Sequence, residues 1–270
     1  MTVRSRRWYV SLDAVKQELG IDNTTHDAKL KRYIERASGW MERFTGRVFI
    51  PVTDTRYFDA PDSPRGALYL NDDLLEVTSI SDDQGAIDSS EYFLYPLNGV
   101  PKTRIELLHS NKFWYFQDTR QKAITITGKW GYRDDYDDTG ATLNGAITST
   151  SVTSLTASDG SLIEVGWSLL VDDEQMFVTN VSSDMVTVQR GNNGTTAATH
   201  SDGATIYRYV PPPEVEEMTA LLVVTWHKWR NEGSQRRKRV GDFEVVYDSG
   251  WPIPQIVMDT VAQLRRPAYG

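Results

Sequence analysis

The stretch LKRYIERASGWMERF, residues 30–44, decides how this chain folds. Leu30, Tyr33, Ile34, Ala37, Met41 and Phe44 recur at spacings of three and four, the apolar stripe of an amphipathic helix. Thr25 or Asp27 is placed to cap its start and Gly46 to end it, while Lys29, Lys31, Arg32, Glu35, Arg36 and Glu42 fill a solvated face. A continuous stripe with good end signals predicts a helix that packs into a core rather than one held out for a partner. Towards the N-terminus, Ser11 and Gly20 bracket a shorter helix over Leu12 to Leu19. Towards the C-terminus, Pro213 opens a helix whose stripe is Val215, Met218, Leu222, Thr225 and Trp229. A last helix is expected from near Pro252, with Ser249 as a cap. Its apolar face is Ile253, Ile256, Val257, Val261 and Leu264, and Arg265 and Arg266 suit the negative end of its dipole.

The pattern changes after Pro51. Short alternating runs predict strands over Thr55–Phe58, Ala67–Leu70, Leu75–Ile80, Tyr92–Tyr95, Arg104–Leu108 and Ala123–Trp130. The Asp- and Gly-rich run Gly131 to Gly140 then looks like a linker into a second set of strands: Ser154–Ala157, Ser168–Val171, Glu174–Val181 and Met185–Arg190. Within that set Gly191-Asn192-Asn193-Gly194 must hold residues at positive φ, which suits Gly and Asn. Pro211-Pro212-Pro213 returns the chain to helix. These breaks divide the chain into a body over 1–143, an inserted all-β domain of barrel or sandwich type over 144–210, expected to fold by itself, and a segment over 211–270 that completes the body. The expected class is α+β: a helical bundle with a small sheet region and an inserted β domain.

Of the 270 residues, 39% are hydrophobic and 24% charged, the make-up of a globular protein. The net charge of −8 argues against a surface built to grip nucleic-acid phosphates. Cysteine is absent, so disulfides and thiolate metal sites are excluded. No apolar run is long enough for a membrane span and the N-terminus lacks a secretory h-region, so a soluble product with no membrane partner is expected. Catalytic signatures are missing. The nearest approach to a phosphate loop ends at Gly128-Lys129 but has Ala123 in place of its first Gly and Trp130 in place of Ser/Thr. His26, His109, His200 and His227 are scattered singly, and the acidic pairs, such as Asp72-Asp73, lack the alternation of a calcium loop. The chain thus reads as a structural protein with no enzyme activity, no cofactor and no metal. Two features invite contact with other molecules. The basic run Arg236, Arg237, Lys238 and Arg239 suits an acidic partner surface or DNA, or a solvated loop after a helix. Phe113-Trp114-Tyr115-Phe116 suits a docking patch or a buried hairpin.

Several segments together resemble the tailed-phage head–tail connector proteins, the adaptor or head-completion subunits. They are LDAVKQELGI at 12–21, IERASGWMERFTGR at 34–47, TRYFD at 55–59, LYLNDDLLEVT at 68–78 and ITGKWGY at 126–132. The likeness covers the first half of the chain well and its C-terminal end loosely; the insertion departs from the compact members. The resemblance implies a structural subunit of the virion, made in the bacterial host cytoplasm, that forms a homo-oligomeric ring of about twelve copies through one repeated interface. That ring would sit under the portal protein, extend the channel through which double-stranded DNA passes without sequence-specific binding, and receive a tail-side stopper or terminator. Its portal-docking segment would fall on Pro252, Ile253, Ile256, Val257, Val261, Leu264, Arg265, Arg266 and Tyr269, supported by the basic loop Arg236–Arg239. The competing reading is another virion or tail protein whose β domain binds carbohydrate or a receptor.

Overall fold

The computed structural model describes residues 5–63, 65–108, 112–231, 237–240, 243–246 and 251–266. The chain is α+β. Helix α1 (Leu12–Leu19) starts where the Ser11 hydroxyl accepts from the Ala14 amide at 3.0 Å and ends at Gly20, whose φ of 65° only glycine adopts without strain. Helix α2 (Asp27–Thr45) buries Leu30, Tyr33, Ile34, Ala37 and Met41, the expected stripe, and closes at left-handed Gly46. Neither expected cap of α2 forms: His26 holds the N-cap position without a side-chain hydrogen bond. Helix α3 (Pro213–Asn231) packs along α2, and α4 (Gln255–Gln263) rests on both. The last helix begins at Gln255, three residues after the expected start, and Ser249 lies outside the described residues.

Strands β1 (Val52–Phe58), β2 (Leu68–Asp82), β3 (Gly85–Ile87), β4 (Tyr92–Tyr95), β5 (Lys102–Leu107) and β6 (Ile124–Trp130) form an antiparallel sheet in the order β1-β6-β2-β5-β4, with β3 beside β2. Period-two burial turns Ile124, Ile126 and Trp130 of β6 onto a core with Phe58, Leu74 and Ile105. Trp114 plugs this core, its indole donating to the Gly66 carbonyl at 2.9 Å, while Phe113 and Tyr115 stay at the surface. The aromatic run is therefore one buried anchor with exposed neighbours.

A second six-stranded antiparallel sheet has the order β7-β12-β9-β10-β11-β8. Its strands are β7 (Tyr136–Thr142), β8 (Ser154–Thr156), β9 (Ser168–Val171), β10 (Glu174–Ser182), β11 (Met185–Gln189) and β12 (Thr205–Tyr209). The end strands meet only in the bridge Leu143–Ala157, so the sheet curls without closing into a barrel. The run expected to be a linker is, from Tyr136, an edge strand whose backbone pairs with β12. Sheet two thus takes in residues that precede Asn144. It has its own core around Leu169, Met176, Val178 and Ile206.

The helices do not make a free-standing bundle, because their core is shared with the module. Phe177 and Tyr209 are buried among Trp8, Tyr9, Leu30, Ile34 and Val215, with Val165 and Leu170 packed alongside. Trp8 meets Phe177 edge-on at 5.3 Å, and a Cβ on Gly166 would sit 2.4 Å from the Trp8 ring. Ile34 is at the centre of this shared core and wholly buried. Ile34→Ala is expected to cost about 2–5 kcal/mol, the usual range for deleting a buried aliphatic side chain. A loss under about 0.5 kcal/mol in urea unfolding would mean that this face of α2 is not in the core.

Candidate functional site

The most highly built polar site lies where the module meets the body. The positive-φ turn after β11 is not a solvent loop: Gly191, Asn193 and Gly194 take φ of 57°, 53° and 81°, and Asn192 and Asn193 are fully buried. Asn192 brackets the backbone of Arg6, accepting from its amide at 3.0 Å and donating to its carbonyl at 2.8 Å. The Asn193 carbonyl oxygen takes a bond from the Arg7 guanidinium at 3.2 Å, and its amide donates to Gln175, which donates on to the Pro51 carbonyl at 3.0 Å. Arg7 also makes a two-pronged pair with Glu42 of α2. One turn of the module therefore ties the N-terminal segment, the start of β1 and α2 together.

That turn is stiffened from beneath by buried charge. Glu174 opens β10 and is fully buried; both its oxygens take bonds from Arg190 at 2.7 Å, and the amides of Gly191 and Ala198 donate to it at 2.9 Å. His200 bridges Glu174 at 2.9 Å and Asp172 at 2.7 Å through its two ring nitrogens. Burial pushes the Glu174 carboxyl up, but the bonds from Arg190, His200 and the two amides outweigh it and hold the group at about 2. A carboxyl depressed in the fold keeps its stabilising effect above the unfolded value near 4.5 and loses it as the pH falls towards 2. Stability is expected to drop by about 3 kcal/mol across that window on account of Glu174. Urea midpoints for wild type and Glu174→Gln at pH 6 and pH 3 check this: the variant must lose less on acidification. A variant as acid-sensitive as wild type would remove Glu174 as the cause.

A second cluster closes the C-terminal end onto sheet one. Asp73, buried in β2, lies 3.3 Å from Arg47 and 3.8 Å from Arg266, and Arg266 donates to Asp72 at 3.0 Å. Burial pushes the Asp73 carboxyl up, against the pull of Arg47 and Arg266. Arg56 pairs with Asp72 at 2.7 Å and stacks over Trp130, completing the wall of an open cavity of about 220 Å³. Among the described residues no group of three or more His, Asp or Glu side chains is arranged to hold a metal ion, and no helix is long and apolar enough to cross a membrane.

The expected docking set is split by the structure. Val257, Val261 and Leu264 are buried in the subunit's own core, because α4 turns that stripe onto α2 and α3. Pro252 gives its carbonyl to the Trp226 indole at 2.8 Å, and the preceding Trp251 packs between Tyr33, Trp226 and the Arg36 guanidinium. The Arg266 amide donates to the Thr45 carbonyl at 2.9 Å. Only Ile253, Ile256 and Arg265 of the set present exposed side chains, and Tyr269 lies outside the described residues. Arg237, Lys238 and Arg239 lie on strand β13 (Arg237–Val240), paired with β14 (Phe243–Val246), so this basic segment is half of a hairpin rather than a loop; Arg236 lies outside the described residues. The Asn192–Asn193 clamp escaped the reading of the sequence as a site. Its one local signal is a pair of asparagines between glycines, which reports backbone conformation and not what the side chains reach.

This geometry describes an α+β subunit whose polar groups fasten one part of the chain to another rather than converge on a substrate. Residues 9–78, which span α1, α2, β1 and most of β2, match the family model of phage gp6-like head–tail connector proteins. The resemblance read from the sequence is borne out there. No curated protein matches the chain. The match supports a phage connector role, and the family is one of structural proteins.

Proposed function

We propose that this chain is an adaptor subunit of a phage head–tail connector, forming a ring of about twelve copies under the portal. The single observation that carries the reading is the family match over residues 9–78, which covers α1, α2 and the first strands of sheet one. The ring extends the DNA channel and receives the next tail-side protein. The net charge of −8 supports a conduit, since like charge keeps passing DNA from adhering. Head-side docking falls on Ile253, Ile256 and Arg265, the exposed members of the C-terminal segment, with the basic hairpin assisting encounter.

Deleting the gene from the phage that carries it tests the reading. DNA-filled heads without tails, beside free tails, are the expected particles under the electron microscope. Complete tailed virions from the deletion would overturn it.

A further inference from the structure

Sheet one carries an apolar tip that is exposed among the described residues. The six-residue connection between β4 and β5 exposes Leu97 at 58% and Val100 at 59%. The Lys102 ammonium donates to the carbonyls of Pro96 at 2.6 Å and Leu97 at 3.2 Å, fastening the loop and setting a positive charge at its base. A fastened tip loses little freedom on docking. Elsewhere on the body, α1 and α3 flank an open groove of about 520 Å³. Ala14, Leu221 and Val224 are among its apolar lining, and Glu18, Glu216 and Glu217 among its acidic lining. Arg208 and Glu164 are the charged groups acting on Glu216, whose carboxyl is pushed up chiefly by burial.

We propose that the β4–β5 tip of one copy docks in the α1–α3 groove of the next. The two surfaces match, apolar for apolar and lysine for glutamate. They also sit on separate parts of the subunit. The tip's strands pack on each other and on β2, whereas the groove belongs to helices that pack on helices. A knob and a groove at different places on one chain join copies head to tail, the contact type that closes into a ring or extends as a filament. The proposal rests on the connector reading only in naming that assembly as a ring; the contact itself is a property of the isolated chain.

The chain has no cysteine, so a pair can be introduced cleanly. Full-length protein carrying Val100→Cys with Ala220→Cys, the latter beside Leu221 in the groove, is expected to yield a ladder of disulfide-linked dimers, trimers and higher species under mild oxidation. Each single variant stops at dimer. Adding Leu97→Asp to the pair lowers the ladder's yield about tenfold. A pair of Val100→Cys with Ser161→Cys, exposed on the module, serves as the control. A ladder no stronger than this control, or one unaffected by Leu97→Asp, would overturn the proposal. The result is independent of the virion test: a ladder from a chain that the phage does not need for tail attachment would sink the connector reading and keep this contact.

Discussion

Glu174→Ala is expected to destabilise the protein by about 3–5 kcal/mol, the range for removing one partner of a buried ion pair. The loss is large because Arg190 and His200 are themselves buried and would be left facing an empty site. Two backbone amides, of Gly191 and Ala198, would lose their acceptor in the same step. The turn over Gly191–Gly194 stands directly on these bonds, so the damage should spread to the N-terminal segment that Asn192 and Asn193 hold. Urea unfolding gives the size of the effect. Amide exchange gives its location, with lost protection at Ser5–Arg7 as well as in the module. A cost under about 1 kcal/mol would mean that water enters and replaces the carboxylate, and the site would then be an accessory to the interface rather than its foundation.

Gly194→Ala is the second large effect, at least about 3 kcal/mol from backbone strain and overlap together. At φ 81° a side chain is strained wherever it points, and here it points at the main chain of β1: an added Cβ would lie 1.9 Å from the Thr53 carbonyl oxygen. Backbone cannot swing aside as a flexible side chain does, so the turn and β1 must part. Gly203→Ala is the matched comparison, since it has a similar φ of 78° and open space around it. It should show the strain without the overlap. Equal destabilisation by the two variants would mean that the contact between the turn and β1 contributes nothing.

At α1 local signals in the sequence were enough. Ser11 and Gly20 set the ends of α1 because a cap hydroxyl and a left-handed glycine act within three or four residues. The α2 stripe likewise became core. Misreadings arose where tertiary contacts overrule local chemistry. Asn71-Asp72-Asp73 looked like a break between two strands. Yet β2 runs through it, since Asp73 faces Arg47 and Arg266 instead of solvent. β7 looked like a linker because its Asp, Thr and Gly residues stay mostly exposed; what makes it a strand is pairing with β12, some seventy positions on, and backbone bonds leave no trace in composition. The stripe of α4 was legible, but a stripe does not say whose core it enters, and Val257 and Val261 enter their own. The clamp at Asn192 and Asn193 was the least legible, because Ser5, Arg6 and Arg7, which it holds, lie far away along the chain.

That separation sets an order of events in the making of the protein. Arg6 waits for a residue 186 positions later, and Ser5 for Asn193 at a separation of 188. At roughly 5–20 residues per second, roughly ten to forty seconds of synthesis pass before the clamp exists. Through that time α1 and α2 have neither α3 nor Phe177 to cover them. Contacts so distant along the chain are also slow to close once it is complete. The nascent chain thus carries an uncovered apolar face for most of its synthesis, and release of the chain, rather than emergence of its first helices, starts the clock for its fold.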